Sequence, residues 1–136
     1  MPVRLGVDLD GVRGTAELLP ELAPRTVAAF LDLLPVADRA VHGRWSGQVV
    51  WVKRPLPDLP EENPVHLPAP GSLVLLHGAG EIMLVVGEAA IHSGLGLPRS
   101  ANRFGQLADG AEAICLRGRR LNRDGARQLR LWLQDR

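Results

Sequence analysis

The sequence predicts a mainly β protein with helices, a β-barrel carrying two capping helices. Three observations point there. Near the start, Val3, Leu5 and Val7 alternate with Arg4, Gly6 and Asp8, the period of a half-buried strand. Turn signals at Asp10-Gly11 and at Gly78 and Gly80 separate short apolar runs, as hairpins require. Only two stretches carry helical spacing. The resulting order is strand, strand, helix, strand, strand, long loop, strand, strand, helix, strand. Antiparallel strands in such numbers favour closure, which removes sheet edges.

The first hairpin turns at Asp10-Gly11 and returns from about Val12 to Leu19. "APRTVAAFLDLLP" follows. Pro24 suits a first helical position, where a missing N–H costs nothing. Val27, Phe30, Leu31 and Leu34 recur as one stripe, the mark of a helix with one buried side, and Pro35 stops it. "ADRAVHGRWSG" and "QVVWVKR" are the next two strands. From Pro55 to Pro70 six prolines exclude regular structure, since each lacks a donor and fixes its φ. A loop of that length in a compact domain is often functional. "GSLVLLHGAGEIMLVVG" is a second hairpin, and "SGLGLPRSANRFGQL" is a glycine-rich loop entering a short strand or turn. "DGAEAICLRGRRL" fits a helix capped by Asp109, with Ala111, Ile114, Cys115 and Leu121 inward. "RQLRLWLQ" alternates as a strand; a helix is the alternative, because its residues also form helices well.

A chain of 136 residues suits one domain, here 1–136, and at this size folding buries roughly two-thirds of the exposed surface. With 46% hydrophobic and 23% charged residues the composition is globular. A net charge of +1 gives no electrostatic reason to seek nucleic acid or anionic lipid. Cys115 is the single cysteine, so no internal disulfide forms and a reducing cytoplasm is expected. "MPVRLGVDLDG" lacks a signal pattern, and no apolar run approaches the roughly 20 residues that span a bilayer. The expectation is a cytoplasmic protein with no membrane and no nucleic-acid partner.

The candidate site residues come from two stretches. Read as a strand, "VHGRWSGQVVW" carries His42, Arg44 and Ser46 along one edge. That edge faces either water or a cleft. Arg grips a carboxylate or amide oxygen with two parallel donors. His42 is the candidate proton carrier, since an imidazole can both accept and donate a proton. Ser46 lacks an evident base, which disfavours a nucleophile. Trp45 and Trp51 sit on apolar patterns that suit core packing; Trp51 could instead wall a pocket. In "ANRF", Asn102 and Arg103 fit either local loop bonding or a second anion contact opposite Arg44. "SGLGLP" is not a phosphate loop. His42, His66, His77 and His92 stand at no metal-ligand spacing and there is no cysteine pair, so no metal and no cofactor are expected. His77 and Glu81 flank a hairpin turn, where polar residues are ordinary.

"AELLPELAPRTVAAFLDLLP" resembles the early segment of cyclophilins, where a strand leads into "APxTVxNF" and a helix. The matching residues are Ala23, Pro24, Thr26, Val27 and Phe30. "HGRWSGQVVWV" and "ANRF" resemble more specifically a small bacterial family of uncharacterised cyclophilin-like proteins, in which H-x-R-W-S-G and N-R-F recur. The resemblance spans nearly the whole chain. It implies a cyclophilin-like barrel with capping helices, and places the Arg44 segment beside the cleft. It supplies no activity. Cyclophilins are prolyl isomerases, but here Gly43 separates His42 from Arg44, and no "QGGD" follows. Three readings follow. One is a cleft for a small carboxylate or amide ligand, lined by His42, Arg44, Ser46, Trp51, Asn102 and Arg103. The second is prolyl isomerisation or proline-peptide binding. The third is a non-catalytic interaction module, a homo-oligomer or an accessory subunit, suggested by the apolar richness and the proline-rich loop.

Overall fold

Asp10 and Gly11 both take positive φ, 52° and 86°, the pair of left-handed residues that a two-residue type I′ turn demands. They join β1 (Arg4–Leu9) to β2 (Val12–Leu18) with Leu9 opposite Val12. The computed structural model describes residues 3–134. The remaining elements are α1 (Pro24–Leu31), β3 (Val36–His42), β4 (Gly47–Lys53), β5 (Pro64–Val65), β6 (Ser72–Leu76), β7 (Glu81–Ala89), β8 (Ala101–Leu107), α2 (Ala111–Arg119), α3 (Leu121–Asp124) and β9 (Arg127–Leu133).

The strands run in the order β2-β1-β9-β3-β4-β7-β6-β8, all antiparallel, and β8 returns to β2 through Ala16 opposite Leu107. Eight strands thereby close into a barrel. The short β5 pairs only with Ala101 and Asn102 of β8. The barrel and its helical caps agree with the fold class read from the sequence.

The interior holds Leu5, Val7, Val50, Leu73, Ile82, Leu84, Phe104, Leu129 and Leu131, with Phe30 entering from α1. A second cluster lies on the other side of β4, β7, β6 and β8, built from Val49, Val74, Leu76, Met83, Val85, Ile91 and Ala101, with Trp51 and Val65 packed against it. Both faces of these strands are therefore buried. That is why "LVLL" and "IMLVV" read as unbroken apolar runs, where a half-buried strand would alternate.

Several sequence expectations are corrected. Helix α1 starts at Pro24 as expected but ends at Leu31. Leu34 thus lies beyond the helix and is only half-buried. Asp109 does not cap α2; Gly110 does, in a left-handed conformation with no side-chain bond. The main chain of Asp109 is committed to the sheet instead, its carbonyl accepting from Thr15 N at 2.9 Å and its N–H donating to Thr15 Oγ1 at 3.1 Å. The single expected helix is bent into α2 and α3, and Leu121 is buried from the second piece. "RQLRLWLQ" is a strand, not a helix, with Leu129 and Leu131 buried but Leu133 half-exposed at 51%. The proline-rich stretch contains the two-residue β5 and is otherwise irregular. Among the described residues no helix is long and apolar enough to cross a membrane.

Candidate functional site

The stretch Val41–Trp51 is not one strand. Strand β3 ends at His42, Arg44–Ser46 form a 3-10 turn, and β4 begins at Gly47. Gly47 adopts φ 97°, and a Cβ there would lie 2.7 Å from the Glu88 carbonyl oxygen. Both the conformation and the close approach require glycine. The alternation of His42, Arg44 and Ser46 is therefore accidental to the pattern, and the three side chains part company.

Ser46 is buried. Its Oγ accepts from His92 N at 2.9 Å and donates to the His92 carbonyl at 3.1 Å. Its own carbonyl accepts from Ala90 N. Ser46 thus staples the turn to the segment leaving β7, and its hydroxyl proton is committed to the His92 carbonyl. His42 is half-buried, with Nε2 bonded to Gln48 Oε1 at 3.0 Å and Nδ1 buried without a partner. Arg44 is exposed. Trp51 is half-buried, with the Trp45 ring set edge-on against it at 5.7 Å.

These contacts shape a cavity of about 830 Å³ between the turn, the end of β7 and the proline-rich loop, lined by Trp45, Ser46, Gln48, Leu67, Glu88 and His92 among others. Ser46 is the one expected site residue on its wall. His42 stands behind it, orienting Gln48. Trp45, assigned to core packing by its place on an apolar pattern, is 38% exposed and belongs to the wall, whereas Trp51 supports it from the second cluster. Gln48, Leu67, Glu88 and His92 escaped sequence reasoning because the fold alone brings these separate segments together. Beyond His92, Ser93 N bonds the Leu97 carbonyl in a tight turn, and Leu95 and Leu97 are 89% and 60% exposed.

Asn102 and Arg103 are placed elsewhere, and neither they nor Arg44 lines this cavity. Asn102 is fully buried. It bonds Glu62 N, the Pro60 carbonyl and Thr26 Oγ1. Arg103 Nη2 donates to Gln106 Oε1 at 2.8 Å, and its main chain exchanges bonds with Asn63. The stretch therefore clamps the proline-rich loop to the barrel.

The same clamp seats Glu62 on the start of α1. Its carboxylate accepts from Thr26 N at 2.7 Å, Thr26 Oγ1 at 2.8 Å and Arg25 N at 3.2 Å, a cap supplied from 36 residues away to a helix whose own N-cap, Ala23, offers none. Desolvation opposes ionisation of Glu62, but the Thr26 and Arg25 bonds outweigh it and hold the carboxyl below its ordinary value. A lowered folded pKa means stability that is present at neutral pH and lost as pH falls from about 4.5 through that lowered value. Urea denaturation at pH 7 and pH 3 should show this loss, and Glu62→Gln should shrink it while costing about 1 kcal/mol at pH 7.

Other titratable groups add little to the cavity. Cys115 is buried, and desolvation pushes its thiol pKa up, which makes it unreactive. Glu81 is also pushed up by desolvation. Its Oε1 and His77 Nε2 are buried without partners, so the β6–β7 turn is less ordinary than its sequence suggests. Among the described residues no three His, Cys, Asp or Glu side chains stand together as a metal site.

Two solved structures share the architecture. McbB in complex with tryptophan superposes with a TM-score of 0.73 at 15% identity, over 97% of this chain and 45% of McbB. The chain thus spans less than half the length of McbB. A hypothetical protein from Archaeoglobus fulgidus, solved in solution, gives 0.61 at 19% identity over 98% of this chain and 95% of its own. Identities this low speak for the fold alone. No curated protein is a significant match. The family described as protein of unknown function (DUF3830) matches residues 5–133, nearly the entire barrel, and the chain belongs to that family.

Proposed function

We propose that this chain is one cyclophilin-like domain that binds a small ligand, with an apolar or aromatic body and an amide or carboxylate head, in the cavity beside Trp45. The carrying observation is the wall itself: an exposed indole faces the same 830 Å³ space as Gln48, His92 and Ser46. Ligand sites commonly combine apolar lining with few fixed polar groups. Gln48 is oriented by His42 and can both donate to and accept from an amide. Arg44, exposed next to Trp45 but off this wall, is a cation that a carboxylate head projecting from the cavity could meet. The tryptophan bound in McbB supports including aromatic amino acids among the probes. Binding is the proposed role, since His42 has Nε2 engaged by Gln48 and Ser46 is committed to His92.

A thermal-shift panel tests this, using aromatic amino acids, small carboxylates, linear and cyclic amides, and proline peptides. A ligand at 100 times its Kd should stabilise by about 2.7 kcal/mol, a shift of several degrees. The shift should come from aromatic acids or amides and vanish in Trp45→Ala. A shift from proline peptides alone would favour the isomerase-like reading, and none from any class would remove the small-ligand proposal.

A second reading is a protein-docking surface on the same rim, favoured by the exposure of Leu67, Leu95 and Leu97 at 69%, 89% and 60%. Gel filtration across a concentration series would then show self-association, reduced by Leu95→Ser.

A further inference from the structure

Two histidines that sequence spacing left unconnected meet beside the cavity. The rings of His66 and His92 lie edge to face, with centres 5.6 Å apart and planes at 66°. His92 lines the cavity, and His66 precedes Leu67 and Pro68, which line it too. Each Nδ1 sits 2.8 Å from a main-chain carbonyl, that of Arg99 for His66 and that of Ala90 for His92. A carbonyl only accepts, so in each neutral ring Nδ1 carries the proton and Nε2 keeps its lone pair. A backbone carbonyl on the far nitrogen is the arrangement by which proteins fix the tautomer and aim of a metal-ligating histidine.

The segments bearing the rings are also held in advance. Ile91 N donates to the His66 carbonyl and Arg99 N to the Ile91 carbonyl. His92 pairs with Pro98, and its N–H is bonded to Ser46 Oγ. Two imidazoles on one tetrahedral ion, with metal–nitrogen bonds of about 2.0–2.1 Å, place their ring centres roughly 5 Å apart. The observed 5.6 Å is slightly wider, so binding would draw the two rings together and turn both Nε2 atoms to the ion.

We propose that Nε2 of His66 and Nε2 of His92 form a two-imidazole site for a borderline divalent cation such as Cu²⁺, Ni²⁺ or Zn²⁺. Two protein ligands leave coordination positions to water and to the amide or carboxylate head of a cavity ligand. That last role rests on the function proposed above; binding of the ion does not. Imidazole suits these metals, and copper binds most tightly among them.

Titration of the full chain with Cu²⁺ near pH 7.5, followed by electron paramagnetic resonance, tests the proposal. The expected result is one ion per chain with hyperfine structure from two imidazole nitrogens. His66→Ala and His92→Ala should each weaken binding at least about tenfold, and His77→Ala should not. His66 is exposed, so its variant should fold; His92→Gln replaces His92→Ala if circular dichroism shows the latter unfolded. Absence of binding to the wild type, or unchanged affinity in either variant, overturns the site. Copper bound by the wild type and lost in both variants upholds it even where no organic probe shifts the melting temperature.

Discussion

Asn102→Ala will destabilise the protein by about 2–4 kcal/mol, as each buried partner left unsatisfied costs about 1–3 kcal/mol. The side chain is fully buried and makes three bonds to three separate places. Its Oδ1 accepts from Glu62 N at 3.0 Å, and its Nδ2 donates to the Pro60 carbonyl at 2.9 Å and to Thr26 Oγ1 at 3.1 Å. Removing it frees the loop at Pro60 and Glu62, and with Glu62 goes the cap of α1. The loss therefore spreads beyond the substituted residue. Urea denaturation should show a lower midpoint, and limited proteolysis should open a new site within residues 55–63. A change under about 0.5 kcal/mol, the range of ordinary surface substitutions, would show that the loop does not depend on this residue.

Phe104→Ala will cost still more, about 3–5 kcal/mol, the usual range for deleting a buried aromatic ring. Phe104 and Phe30 are both fully buried, their ring centres 4.8 Å apart at 48°. The pair joins α1 to the β8 wall of the barrel. At this chain length such a loss lowers the melting temperature by roughly 10 °C or more. Arg103→Ala serves as the comparison. Its guanidinium bonds only Gln106 in the described structure, so its effect should stay within about 0.5 kcal/mol. If the arginine variant were the most damaging of the three, the structural account of "NRF" would fail.

The same three residues show what was legible in the sequence and what was not. Strand and helix periodicity, the turn at Asp10-Gly11 and the proline at the head of α1 are local signals, and they led to the barrel. Asn102 announced itself as polar and singular, but polarity alone does not distinguish a ligand contact from a buried clamp. Its partners lie 40, 42 and 76 residues away, so only the fold decides. The row His42, Arg44, Ser46 misled for a local reason: two glycines, 43 and 47, convert an alternating pattern into a turn. Trp45 looked like core because it falls on an apolar pattern, yet the turn lifts it out to the cavity. His66 and His92 carry no spacing signal, because only the fold brings the loop and the segment after β7 together.

The location of the ligand is the central claim, and the three tryptophans can report on it. Trp45 lines the cavity, Trp51 packs against it, and Trp132 lies over Gly6 on the β1–β9 pair. The measurement is a nitrogen-15 correlation spectrum of the indole Nε1–H groups, recorded while the best probe of the panel is titrated. The account predicts a saturable shift of the Trp45 signal, a smaller one for Trp51 and none for Trp132. A saturable shift of Trp132 with Trp45 unmoved would place the ligand elsewhere and contradict it.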